Sequence, residues 1–347
     1  MYLVDNKDEF ASGSAFYAEC AWYLPGEGPI RIHGLVRDRE DRYLRLPEET
    51  AKAVSEAVTG LNTNTAGGRL RFDTDSPFIV LRGVPLNGCM MDHMPMTGIA
   101  GMDVYAGDTY KGTARPGCKV QTVYEGRIEL GSGRKTVTVG LPLYDGLAKL
   151  VIGLSKGSSL WPAPAYVNEK PVIYYGSSIT QGGCASRPGN SYQAFISRRY
   201  GLDYRNLGFS GAGRAEDAMI EYLAAQEMCA FVMDYDHNAP NTEHLANTHQ
   251  KLFTAVRSAH PAIPILLISR PDVDRDPAEA AERFAVIKKT FDEAIAGGDS
   301  HVFLINGRDL FDGPFRADCT VDGCHPNDLG FYRMAQVIGP VLGKCVL

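Results

Sequence analysis

From Pro171 onward the chain alternates short, mainly apolar runs with longer segments of helical period, and this alternation constrains the fold more than any other feature. The strand-length runs are residues 172–175, 204–207, 230–234, 265–269 and 302–305, apolar except for Arg205, Asn206, Asp234 and Ser269. Between and after them come helical stretches at 191–199, 215–225, 244–260, 277–296 and 329–342. In the third of these, Leu245, Leu252, Phe253 and Val256 recur at the spacing of one helix face. Strands apolar on both faces, separated by helices, require a parallel sheet covered on both sides. The expectation is an α/β, flavodoxin-like three-layer domain with a five-stranded parallel sheet. Its functional groups should lie beyond the carboxyl ends of the strands.

The first 160 residues read differently. Short β-type runs at 28–36, 69–72, 78–81, 119–130, 134–139 and 149–154 are separated by glycine, proline and asparagine. In Arg69-Leu70-Arg71-Phe72 and Lys135-Thr136-Val137-Thr138-Val139, polar and apolar residues alternate as a half-buried strand requires. Residues 47–59 are the one helical-looking interruption. This pattern predicts an antiparallel β-sandwich of jelly-roll type. At Leu160-Trp161-Pro162-Ala163-Pro164, two prolines in three residues stiffen the chain and mark a boundary. At 347 residues the chain exceeds what one core usually organises, so two domains are expected, 1–162 and 163–347.

Composition excludes several classes. The net charge is −6 and no lysine- or arginine-rich block offers a basic stripe, which argues against a nucleic-acid partner. No apolar run approaches the ~20 residues a membrane helix needs. The opening residues lack the basic start and apolar run of a signal peptide, although a leader already removed would leave no trace. Eight cysteines are scattered through the chain, and only Cys319 and Cys324 lie close together. They read as isolated thiols in a reducing, cytoplasmic setting, with no metal site. The oligomeric state is not legible.

Four motifs follow the strands. After the first comes Gly176-Ser177-Ser178-Ile179-Thr180-Gln181-Gly182, a serine on a strand-to-helix turn, where backbone N–H groups can receive an oxyanion. Taken alone it reads better as a glycine/serine turn. After the second strand comes Asn206-Leu207-Gly208-Phe209-Ser210-Gly211-Ala212-Gly213. Its glycines admit close backbone approach, and the Gly211 N–H is a candidate oxyanion donor. It lacks the lysine of a phosphate loop. After the third comes Asp234-Tyr235-Asp236-His237-Asn238-Ala239, where the Asn238 amide is either a further donor or a turn-shaper. Asp234, Asp236 and His237 form a weak metal cluster, and His237 is a rival base. After the fifth strand comes Asp322-Gly323-Cys324-His325-Pro326-Asn327. An aspartate three residues before a histidine can accept its Nδ1–H, fixing the tautomer that lets Nε2 take a serine proton.

In this order the blocks resemble the SGNH (GDSL-like) hydrolase family, with coverage from Val172 to the C-terminus. The resemblance implies Ser178 as nucleophile, His325 as base and Asp322 as its orienter. The Ser178 and Gly211 N–H groups and the Asn238 amide would form the oxyanion hole. Two departures stand out: Ser177 replaces the usual aspartate beside the nucleophile, and Asp236-His237 replaces small residues before Asn238. Upstream, Gly101-Met102-Asp103-Val104-Tyr105 resembles the Gly-x-Asp-Leu-Tyr signature of a β-domain that precedes some SGNH hydrolases. Asp103 and Tyr105 would then either line a substrate cleft or hold a loop in place.

The activity implied is that of a serine esterase with no cofactor, acting through an acyl-enzyme on small acyl esters, acetyl esters of carbohydrates above all. An acyltransferase with the same triad and a carbohydrate-binding protein that has lost activity are the alternatives. Trp161, Tyr174 and Tyr175 offer either sugar-stacking faces or core packing.

Overall fold

Period-two patterning builds the first of two compact units. The computed structural model describes Met1, residues 6–117 and residues 122–347. Within these, one unit comprises residues 1–47, 62–165 and 185–189, and the other residues 48–61, 166–184 and 190–347. Residues 2–5 of the opening stretch, Cys118 and the first residues of the expected strand 119–130 lie outside the described residues. That strand runs Tyr124–Glu129.

In the first unit a four-stranded antiparallel sheet has the order Cys20–Tyr23, Leu147–Ser155, Phe78–Pro85, Tyr124–Glu129. A second sheet runs Leu160–Trp161, Arg69–Thr74, Lys135–Gly140, Met102–Ala106, Thr109–Ala114, and Arg31–His33 also pairs with Arg69–Thr74. The register sets Val137 opposite Phe72 and Val139 opposite Leu70, so alternate residues of both strands share one face. Those side chains join Ile79, Leu81, Leu150 and Ile152 of the other sheet in a single core, which makes the unit a sandwich. Each such aliphatic side chain contributes about 1.5–3 kcal/mol on burial.

The second unit contains a parallel sheet of five strands: Tyr204–Gly208, Val172–Gly176, Ala230–Asp234, Ile265–Ile268 and Val302–Ile305, in that spatial order. This is the flavodoxin-like order, in which the second strand in sequence lies outside the first. Val172–Gly176 and Ala230–Asp234 are buried at every position, as strands with helices on both faces must be. Side-chain caps fix where helices start. The Asp276 carboxylate accepts the Glu279 N–H ahead of Pro277–Ala296, and the Asn241 side chain accepts the His244 N–H ahead of Thr242–Ala259. The helical stretch 47–59 is two helices, Glu48–Val54 and Glu56–Leu61, which cluster with this unit. The first of them packs on Asp217–Ala224. Among the described residues no helix is long and apolar enough to cross a membrane.

The strand order reverses direction at Val172–Gly176, and the pairing sets Gly176 level with both Gly208 and Asp234. Three loops therefore leave the sheet at one height, at its topological switch point.

Candidate active site

Ser178 opens a four-residue helical turn, Ser178–Gln181, capped by Ser177. The Ser177 hydroxyl accepts the Ile179 N–H at 3.1 Å, and its own N–H donates to Thr180 Oγ1 at 3.2 Å. Capping is also what an aspartate would do at this position, so the serine keeps the turn and removes only a charge.

The neighbouring loops are wired to this turn. Asn206 Nδ2 donates to the Thr180 carbonyl at 2.7 Å, and its Oδ1 accepts the Gly208 N–H at 2.9 Å. Gln181 Oε1 accepts the Ser210 N–H at 3.0 Å. A Cβ on Gly208 would overlap the backbone of Thr180 and Gln181, so only glycine lets the second strand end against the serine turn. Gly211 has φ +70°, and Asn238 Nδ2 donates to the Phe209 carbonyl at 2.7 Å. One amide hydrogen thus anchors the third loop to the second, and Asn238 carries another.

Asp322 and His325 come from the loop ahead of helix Asp328–Val346. The loop is closed by the Val321 N–H donating to the His325 carbonyl at 3.0 Å, and a bridge pairs Thr320 with Pro326. Asp322 Oδ1 accepts the backbone N–H groups of Cys324 at 2.9 Å and His325 at 2.7 Å. Its Oδ2 lies 2.7 Å from His325 Nδ1, and His325 Nε2 lies 3.0 Å from Ser178 Oγ. The hydroxyl, imidazole and carboxylate therefore lie in hydrogen-bonded succession. Partial burial pushes the Asp322 carboxyl up, but the bonds from the His325 ring and the two N–H groups outweigh it and hold it at about 2. The His325 imidazole is raised above its ordinary value, first by a hydrogen bond with Cys324, against burial, and then by Asp322.

His237, the rival base, is engaged elsewhere. Its Nε2 lies 3.1 Å from Asp272 Oδ2 and 3.2 Å from Cys324 Sγ. Asp236 accepts the Arg270 N–H at 2.8 Å and lies 3.2 Å from Arg283 Nη1. Asp234 is buried and accepts the Thr180 and Tyr192 hydroxyls, both at 2.9 Å, and burial raises its carboxyl to about 7. The three residues of the weak metal cluster thus face three different sets of partners. The proximity of Cys324 to His237 escaped the sequence reading, which treated the cysteines as isolated thiols. Its only sequence signal is its place between Asp322 and His325.

Tyr174 and Tyr175 are core residues. Both are buried, Tyr175 Oη accepts the Ala215 N–H at 2.7 Å, and Tyr174 packs edge-on to Tyr192 and Tyr204. In the β unit, buried Asp103 accepts the Gly189 N–H through Oδ2 at 2.7 Å. Arg187 Nε donates to Tyr105 Oη at 3.4 Å, and its guanidinium lies 4.0 Å from the Tyr110 ring centre. A cavity of about 340 Å³ borders Asp322, lined also by Pro271, Asp272, Arg275, Phe311 and Arg316. Neither Ser178 nor His325 lines it, so it does not hold a carbonyl at the serine.

Residues 169–343 match the family model of the GDSL-like lipase/acylhydrolase family, and residues 20–160 match that of the GxDLY N-terminus of SGNH-type esterases. Among solved structures, a protein described as a GDSL-like lipase from Bacteroides ovatus is 27% identical, with a TM-score of 0.82 over 94% of this chain and 98% of that one. The salicylyl-acyltransferase SsfX3 of a tetracycline biosynthetic pathway is 22% identical, with a TM-score of 0.78 over 94% of this chain and 99% of its own. A family two carbohydrate esterase from Cellvibrio japonicus is 13% identical, with a TM-score of 0.59 over 94% and 98% of the two chains. No curated protein matches the sequence.

Proposed function

This chain belongs to the GDSL-like lipase/acylhydrolase family, and on that premise we propose that it is a serine esterase that removes small acyl groups, acetyl above all, from carbohydrate esters. The observation that carries the reading is the hydrogen-bonded succession at 3.0 Å and 2.7 Å from Ser178 Oγ through His325 to Asp322. His325 Nε2 takes the serine proton as Oγ attacks the ester carbonyl. Asp322 holds the ring in the tautomer with hydrogen on Nδ1 and stabilises the imidazolium. The Ser178 and Gly211 N–H groups and the second Asn238 amide hydrogen receive the oxyanion. The alcohol leaves with the proton from His325, and water then hydrolyses the acyl-enzyme by the same route. For Asp103 and Tyr105 we assign a positioning role on residues 185–189, supported by the burial of Asp103 and its bond to Gly189.

Carbohydrate substrates are supported by the shared architecture of the family two carbohydrate esterases. Transfer of the acyl group to a second alcohol is the other reading, favoured by the whole-chain likeness to a salicylyl-acyltransferase. The test is turnover of p-nitrophenyl acetate and acetylated xylo- and cello-oligosaccharides by the wild type and by Ser178→Ala. Loss of all activity and of fluorophosphonate labelling in the variant is expected, and retained activity would refute the assignment. Products formed with a competing alcohol present separate hydrolysis from transfer.

A further inference from the structure

Beside the serine site lies a second chain of a nucleophile, an imidazole and a carboxylate. Cys324 Sγ is 3.2 Å from His237 Nε2, and that nitrogen is 3.1 Å from Asp272 Oδ2. Asp272 is in turn clamped by Arg270, whose Nε reaches Oδ1 and whose Nη2 reaches Oδ2, both at 2.7 Å. A carboxylate fixed in this way charges and orients an imidazole, and a charged imidazole at hydrogen-bond distance draws the proton from a thiol. Arg270 already balances Asp272, so the arrangement suits an ion pair of thiolate and imidazolium better than a bound cation. None of these groups takes or gives a proton in the serine mechanism.

We propose that Cys324 is a thiol modification site, a thiolate held against His237 that hydroperoxides oxidise, and that loading its sulfur silences the neighbouring pair of Ser178 and His325. The silencing rests on the esterase reading; the reactivity of the thiol does not. The groups facing the sulfur are His237, backed by Asp272 and Arg270, His325, backed by Asp322, and the Cys184 thiol. Burial pushes the Cys324 thiol up, but hydrogen bonds with His237 and His325 outweigh it and hold it at about 6. Burial likewise disfavours charge on His237, yet the bonds to Asp272 and Cys324 raise it to about 10. Cys184 supplies an internal contrast, since burial first, and then the nearby charges of Asp322 and Cys324, push its thiol up to about 12.

In the reaction the thiolate attacks one peroxide oxygen, forming an S–O bond as the O–O bond breaks. The departing hydroxide, or the alkoxide of an organic hydroperoxide, takes the His237 proton and leaves as water or alcohol. Sulfur loses two electrons to the peroxide, and the product is a sulfenic acid. The added oxygen has little room, because Cys324 is 5% exposed. The Cys324 N–H is bonded to Asp322 Oδ1, so shifting the residue disturbs the carboxylate that orients His325.

The test is the pH profile of iodoacetamide labelling, read by peptide mass for each cysteine in the wild type, Ser178→Ala and His237→Gln. Cys324 should label with a midpoint near 6, whereas an ordinary thiol titrates at about 8.5. At pH 6 the thiolate fraction exceeds that of an ordinary thiol by about 100-fold, of which roughly tenfold remains as rate after the lower nucleophilicity of a weakly basic thiolate is counted. His237→Gln should move the midpoint up by about two units. Hydrogen peroxide should produce a dimedone-reactive Cys324, with esterase activity falling in step with the modified fraction. Cys324→Ser should keep its starting activity through the same treatment. A midpoint at or above that of an ordinary thiol, or Cys184 labelling ahead of Cys324, would overturn the site. Full modification without loss of activity would overturn the silencing. Because Ser178→Ala is labelled in parallel, a failure of the esterase reading leaves the thiol result standing.

Discussion

Replacing Asp322 by asparagine tests the proposed mechanism at the point where the local structure dictates the outcome. Asp322 Oδ1 accepts two backbone N–H groups, at 2.9 Å and 2.7 Å, while Oδ2 faces His325 Nδ1 at 2.7 Å. Asparagine has one oxygen, and the two N–H donors claim it, so the amide NH₂ must face the ring. Two donors cannot share that contact. The imidazole answers by moving its hydrogen to Nε2, and Nε2 can then no longer accept the proton of Ser178. Loss of the correct tautomer costs a serine triad about 10⁴ in kcat. Here the Asp322 side chain is 36% exposed, and water can compete for the ring, so a loss of about 10³–10⁴ is expected, or roughly 4–5.5 kcal/mol of transition-state stabilisation. The assay is kcat and KM on p-nitrophenyl acetate, with circular dichroism to confirm folding. KM should change little, because the lost interaction belongs to the transition state. A folded Asp322→Asn enzyme with kcat within tenfold of the wild type would refute the reasoning.

Two further outcomes follow from the same geometry. The acid limb of kcat/KM should inflect above the ordinary histidine value, because His325 must be neutral to act and its imidazole is raised by Cys324 and Asp322. Cys324→Ser should move that inflection down, and a limb unchanged by the substitution would contradict it. Asp234→Asn should raise stability increasingly between about pH 4 and pH 7. Over that window the folded wild type keeps the Asp234 proton, to about 7, while the unfolded chain releases it, so wild-type stability falls as pH rises. The full effect is of order 4 kcal/mol, and melting temperatures of the two proteins that run parallel with pH would sink it.

What the sequence revealed and what it hid have physical causes. The parallel sheet was legible because a strand covered on both faces is built mainly from apolar residues, and Val172–Gly176 and Ala230–Asp234, buried at every position, are apolar up to the Asp234 carboxyl at the loop end. The spacing of Asp322 and His325 was legible because a turn of that length lets the two side chains meet. The grouping of residues 48–61 with the α/β unit was not legible, since a short amphipathic helix does not declare which surface it covers. Tyr174 and Tyr175 were ambiguous because a tyrosine in a strand can present its ring or bury it. The contact of Cys324 with His237 joins positions 87 residues apart that carry no motif between them. Asp272 and His237 are likewise joined only by the parallel pairing of the third and fourth strands, which brings their loops side by side.

The base and its orienter lie three residues apart on one loop, whereas the nucleophile is 147 residues upstream. During synthesis, all five strands of the sheet emerge before the histidine does. A nascent chain can therefore assemble the serine turn and its supporting loops while still lacking both proton-handling groups. Activity should switch on late and at once, when this loop and the helix Asp328–Val346 that follows it dock together, rather than accumulate as the domain forms. An arrested chain ending near Thr320 would carry the serine but lack both its base and helix Asp328–Val346, whose buried face packs on Tyr192–Tyr200.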